Sequence, residues 1–253
     1  MLLGILCVGT ASTLQAQDAE VRISRNLDRK LRRDAARLAL RMRSGEDLRF
    51  QAVRIPERDL DAIYDALTTA YRQDEGVRAV FRCNVHTRPD PSIDHMLVVF
   101  DRDVDWAAPL REGRHETNSV MLNDLLYDHD LIIEKHVQWN DTEDAIAIRS
   151  KQPLNMANLA NEFNNIEGVS HVDLGLAKEV GNDISAERVA GGWHFTFTLS
   201  FGSLVDKGEK IHTWQYFVGD DGQVTKRGEG GDPVPDWMRC EATLDRRQLL
   251  ARR

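Results

Sequence analysis

The sequence predicts an α+β fold, with helices packed on a mixed, mostly antiparallel sheet. Three observations carry that prediction. Trp193, Phe195, Phe197, Leu199 and Phe201 alternate with His194, Thr196, Thr198 and Ser200, the period-two pattern of a strand with one buried face. Leu27, Leu31, Ala35, Leu38 and Met42 recur at three- and four-residue spacing, the period of an amphipathic helix. Helix and strand patterns are interspersed along the chain, and 253 residues at 42% hydrophobic content suffice for a sizeable core.

Leu2 to Gly9 forms an apolar run long enough for the core of a signal peptide and too short to span a bilayer. Ala16 supplies the small side chain that signal peptidase needs before the cut, so residues 1–16 read as a cleavable signal peptide and the protein as exported, periplasmic or secreted. The usual positive n-region is missing, Met1 being followed directly by Leu2. A lipoprotein fits poorly, because Leu6 precedes Cys7 where a small residue is wanted.

Residues 17–48 read as a basic amphipathic helical segment: Arg22, Arg25, Arg29, Lys30, Arg32, Arg33, Arg37, Arg41 and Arg43 are opposed between 22 and 43 only by Asp28 and Asp34, and Gly45 suits a C-cap. A membrane-surface or acidic-partner role competes there with the plainer reading, a solvated face on a packed helix. Residues 49–115 read as a first α+β unit, with a strand from Phe50 to Ile55, Pro56 in a first helical turn, and a helix carrying Leu60, Ile63, Tyr64, Leu67 and Tyr71. Gly76 is expected to open a strand at 77–86, which the proline-stiffened loop Arg88–Ser92 turns back into 93–100 as a hairpin.

Residues 116–245 read as a second unit with a C-terminal hairpin. Its expected elements are a helix at Val120–Tyr127, strands at 131–137 and 144–149, a helix from Asn155 to Ile166 and a strand at 169–174. The strand at 193–201 follows, then one at 211–218, turned by Asp220-Asp221-Gly222 into Gln223-Val224-Thr225. Gly181-Asn182-Asp183, Gly191-Gly192 and Gly228–Gly231 read as turns, and 246–253 as a polar tail. Glu75-Gly76-Val77 is echoed by Glu167-Gly168-Val169 after a similar order of strand, proline and helix. Two duplicated β-α-β units are therefore one option.

A net charge of -8 argues against a nucleic-acid partner, since phosphate neutralisation needs a basic surface. Removal of 1–16 leaves Cys83 and Cys240, which either pair across well over half the chain or stay reduced and buried.

The candidate chemistry is thin. Asp101, Asp103, Asp105 and Glu112 match the acidic spacing of a calcium loop, but Trp106 stands where glycine normally permits the turn. Glu134 with His136, His171 with Asp173, and His86 with His95 each place two ligands on one sheet face without a third. Ser203 lacks the second glycine of a nucleophile elbow. Asn155, Asn158, Asn161 and Asn165 line one helix face, a hydrogen-bonding ladder or simply a solvated surface. No catalytic, cofactor-binding or metal residue is nominated, and no cofactor is expected.

Tyr127–Val172, with Pro153-Leu154-Asn155 and Ile166-Glu167-Gly168-Val169, resembles the helix-on-sheet module of subtilisin-type propeptides and inhibitors. It is also similar to uncharacterised exported bacterial proteins that follow such a module with a terminal hairpin, here Trp214–Thr225. The resemblance implies no enzyme activity. The expected function is a non-catalytic binding or interaction module outside the cytoplasm, with a protein or small-molecule partner. A hydrolase or metal-dependent enzyme with a histidine and carboxylate site is the alternative, and membrane-surface contact through the 22–43 helix is a third reading.

Overall fold

A computed structural model of the chain describes residues 21–43, 52–175, 181–202, 208–235 and 238. The expected signal peptide, Ser203 and the polar tail lie outside the described residues. Six α-helices accompany two four-stranded sheets, antiparallel throughout, among the described residues. The fold is α+β, with two sheets in place of one mixed sheet.

Helix α1 (Arg25–Met42) starts on Ser24, whose hydroxyl accepts the Leu27 N–H at 3.2 Å, and Asp28 complements the dipole in the first turn. Its buried face is broader than the predicted stripe, taking in Ala36, Ala39 and Leu40 beside Leu31, Ala35 and Leu38. Ile63, Leu67 and Ala70 of α2 (Glu57–Gln73) are buried in the same core.

The segment expected as a strand at 77–86 is instead helix α3 (Glu75–Arg82) followed by a turn. Asp74 decides this: its carboxylate caps the helix by accepting the Val77 N–H at 2.9 Å, and Glu75 pairs with Arg78 and Arg82 along the surface. Val77, Val80 and Phe81 are then buried at helical spacing, which outweighs the short alternation of Phe81, Cys83 and Val85. Gly76 is there for close approach: a Cβ would meet the Tyr216 hydroxyl at 2.4 Å. The strand expected at 50–55 reduces to an isolated bridge between Arg54 and Leu154, Phe50 and Gln51 lying outside the described residues. The first hairpin and the duplication fall with these elements, since one Glu-Gly-Val begins a helix and the other a strand.

Residues 95–173 build the first sheet. The order is β1 (His95–Asp101), a 3-10 turn at Asp105–Ala107, α4 (Ala108–Arg111), α5 (Val120–Asp128), β2 (Leu131–Gln138), β3 (Glu143–Ser150), α6 (Met156–Phe163) and β4 (Val169–Asp173). The spatial order β2-β3-β1-β4 is that of a split β-α-β unit. Val98, Phe100, Ile146, Leu122, Leu159 and Phe163 form its core.

The second sheet is a meander of β5 (Asp183–Val189), β6 (Gly192–Phe201), β7 (Lys210–Gly219) and β8 (Val224–Gly231). Phe195, Phe197, Leu199 and Tyr216 pack with α1, α2 and α3 in a separate core. β5 is weak in the sequence because, of its residues, only Ile184 is buried. The glycines at 228–231, expected as a turn, are the end of β8. Gly231, at φ +100, lies so close to the facing chain that a Cβ would meet the Ile211 carbonyl at 2.2 Å. The grouping by core differs from the linear division at residue 115, for β1 shares its core with elements beyond that point while α2 and α3 pack with α1 and the meander.

Asp183 fastens the meander to the rest. One carboxylate oxygen accepts the Arg88 N–H at 2.9 Å and the Arg41 Nη1 at 2.8 Å, and the other accepts Arg88 Nε at 3.1 Å. Burial pushes the Asp183 pKa up, but these hydrogen bonds and the two guanidinium charges outweigh it and hold the group below its ordinary value.

Phe197 is fully buried and meets Phe81 edge-on at 5.6 Å and Tyr216 at 6.0 Å. Phe197→Ala is expected to cost about 3–5 kcal/mol in urea unfolding. The depressed Asp183 pKa contributes stability above the unfolded value of about 3.9, lost as pH falls through the folded value. Unfolding followed from pH 7 to pH 3 should therefore show Asp183→Asn less stable than wild type at neutral pH, with the gap narrowing below about pH 4.

Candidate functional site

Where the two cores adjoin, the molecule opens into a cleft of about 1460 Å³. One wall is a face of α1 carrying Asn26, Arg29, Lys30, Arg33 and Arg37 at helical spacing. The others come from the start of α2 and the ends of β1, α5 and β3, bringing Arg54, Glu57, His95, His129, Arg149 and Lys151.

Most of the cleft's carboxylates are already committed. Asp34, 1% exposed, accepts the Thr87 N–H at 2.9 Å and the Thr87 hydroxyl at 2.7 Å on one oxygen and meets His86 Nδ1 at 2.6 Å on the other. Asp94 lies 2.7 Å from Arg33 and 2.8 Å from His95, Asp61 pairs with Arg32, and Asp130 with Lys151. Arg149 pairs with Glu134.

Arg29, Lys30, Arg37 and Arg54 have no carboxylate partner among the described residues. Lys30 donates to Asn84 Oδ1 at 2.7 Å and Arg54 to the Asp128 carbonyl at 3.2 Å, both neutral acceptors. Against them stands Glu57, likewise without an ion pair among the described residues. A chain of net charge -8 thus concentrates uncompensated positive charge in one concavity.

Arg37 is the unusual member. It is 7% exposed, its Nη1 makes a long bond of 3.4 Å to the Thr87 hydroxyl, and its buried Nε has no hydrogen-bond partner. Burial lowers its pKa, as do the charges of Arg33 and Arg41 one turn to either side, while Asp94 and Asp34 oppose the shift. His129 also lines the cleft with a buried Nδ1 that lacks a partner. Buried polar atoms are normally satisfied, so two without a partner in one concavity point to a group that enters it.

The other expected constellations stay apart. His86 and His95 reach the same cleft but answer to different carboxylates. His136 faces Asp144 at 3.1 Å, which also accepts from Arg102; His171 and Asp173 are exposed on β4; His212 faces Glu229 at 3.0 Å. In the calcium-like segment Arg102 hydrogen-bonds the Asp141 carbonyl at 2.8 Å, Arg111 bonds the Arg102 and Val104 carbonyls, and Glu112 pairs with Arg114. Of the four spaced carboxylates, Glu112 is thus engaged by a guanidinium. Among the described residues, no group of three or more histidines, cysteines, aspartates or glutamates is placed to hold a metal ion. The asparagine line is local structure: Asn155 caps α6 by accepting the Asn158 N–H, and Asn165 donates to the Asn161 carbonyl.

A smaller cleft of about 650 Å³ lies between α1, α2 and the edge of the meander, with Ala39, Met42, Ile63 and Trp193 in its lining. Its Arg188 is paired with Asp220 at 2.7 Å and stacked over Trp193 at 5.2 Å, so that charge is satisfied. No membrane-spanning helix occurs among the described residues. Comparison with protein-family models, with curated proteins and with solved structures finds no match.

The sequence signal for this site was Asp34 and Arg37 themselves, set among the apolar residues of α1 instead of opposite them. Asp34→Ala is expected to cost about 3–5 kcal/mol in chemical denaturation, because it strands two Thr87 donors and His86 in a buried position.

Proposed function

We propose that this protein is a non-catalytic binding module that works outside the cytoplasm and takes its ligand in the 1460 Å³ cleft between α1 and the split β-α-β unit. The observation that carries the reading is the buried Arg37 guanidinium, lining that cleft with its Nε unpartnered. A buried donor left open costs the free protein stability, and occupation by a ligand restores it. The resemblance of Tyr127–Val172 to propeptide and inhibitor modules adds a fold analogy and nothing about residues.

Export belongs to the same proposal, with cleavage after Ala16 and a disulfide between Cys83 and Cys240. In its support, the Cys83 sulfur lies 3.7 Å from the Met238 carbonyl, across 155 residues of chain. Cys240 itself lies outside the described residues. In the chain-entropy picture a loop of that length is stabilised by up to about 5 kcal/mol. The α1 stripe gives little support to membrane attachment, since Leu31, Ala35 and Leu38 are consumed by the core.

Two mass measurements test the reading on protein from its own host. Denaturing mass spectrometry should find a mature start at Gln17 and a two-dalton gain on reduction; an intact Met1 defeats export. Native mass spectrometry should find a bound species that is lost from a variant carrying Arg29→Glu and Arg54→Glu. A bare mass, or a species retained by that variant, defeats the assignment of the cleft.

A further inference from the structure

We infer that the cleft ligand is a polyvalent oxyanion, bearing phosphate or carboxylate groups, and that one such group seats on Arg37. This deepens the binding reading and rests on it. The guanidinium is anchored at one corner only, through Nη1 and Thr87, and neither Nε nor Nη2 has a partner among the described residues. Those two atoms form the side-on edge that meets two oxygens of a planar or tetrahedral anion in parallel hydrogen bonds. Lysine could not present that edge.

Charge selects the ligand's sign. Asp34 and Asp94, the acids nearest in their influence on Arg37, are held by Thr87 and His86 and by Arg33 and His95. A cation entering the cleft would meet Glu57 alone among uncommitted carboxylates, whereas an anion would meet Arg29, Lys30 and Arg54 as well as Arg37. The volume exceeds what one small anion fills, and the exposed Arg29 and Arg54 supply contacts for further charges on the same molecule. The overall negative charge makes this local attraction specific, because the rest of the surface repels the same ligand.

The test is thermal unfolding and calorimetric titration of the full chain with pyrophosphate and with citrate, against sodium chloride at matched ionic strength. At millimolar concentration at least one of the two is expected to raise the Tm where chloride does not, and the better probe distinguishes a phosphate from a carboxylate ligand. Arg37→Met should weaken that binding about tenfold or more while leaving the Tm of the free protein at or above that of wild type, since an unpaired buried charge is replaced by an apolar chain of similar reach. A merely structural arginine would instead lower the Tm and leave the affinity alone. Arg188→Met, in the other cleft, should bind as wild type does.

Equal stabilisation by chloride, no response to either probe, or unchanged affinity in Arg37→Met overturns the inference. Should Arg37→Met fail to fold, the double variant Arg29→Ala with Arg54→Ala serves instead, and unchanged affinity there overturns it equally. A neutral or cationic species found in the cleft by native mass spectrometry, with both probes inert, sinks the oxyanion and leaves the binding module standing; an empty cleft with inert probes removes both.

Discussion

The molecule depends on a carboxylate almost sealed from water in the middle of its first helix. Asp34 gathers the backbone and hydroxyl of Thr87 and the ring of His86, and by doing so fixes the segment after α3 against α1. One turn or two further along the helix, Arg37 touches Thr87 and Arg41 reaches the carbonyls of Arg88 and Asp90 as well as Asp183. A buried charge held in this way specifies geometry more than it adds stability, because desolvation offsets much of the attraction. Its effect is positional: the connection from the helical layer into β1, the start of β5 and the mouth of the cleft are all set from one face of α1.

That arrangement explains how a helix crowded with arginine serves two purposes. The alanine and leucine side closes the core against α2 and the meander, while the flank between core and solvent carries the charges that meet the split β-α-β unit. Arg33 reaches across to Asp94 at the start of the split β-α-β unit, while Arg32 and Arg41 pair with Asp61 of α2 and Asp183 of β5 on the helix's own side. Arg29 and Arg37, which have no carboxylate partner among the described residues, line the concavity. The same composition that makes 22–43 resemble a membrane-surface segment in isolation becomes, in the folded chain, one wall of the cleft.

The elements with sustained periodicity were legible in the sequence. The alternation of β6 and the strand pair β2 and β3 needed no tertiary knowledge, and the Asp220-Asp221-Gly222 turn announced the last hairpin. The ten residues at 77–86 carry valines at mixed spacing that fit either period, and the deciding group, the Asp74 cap, lies just ahead of the pattern. β5 was invisible since a strand covered on one side by a charged helix flank carries little apolar signal. The site was harder still: Arg37 is notable for what its Nε lacks, and a missing partner is a property of the packed molecule alone.

The split β-α-β unit also enters and leaves its host at neighbouring points. β1 and β4 are adjacent antiparallel strands, with Leu97 opposite Asp173, so the chain departs the helical layer and returns to it within one strand spacing of where it left. Arg41 and Asp183 are 142 residues apart along the chain, yet once this unit has closed the contour that separates them is cut by most of that length. The helices and the meander can then find one another as though they were consecutive. Residues 95–173 are in this sense a folded parenthesis, and the search for the distant β-sheet partner becomes a local one.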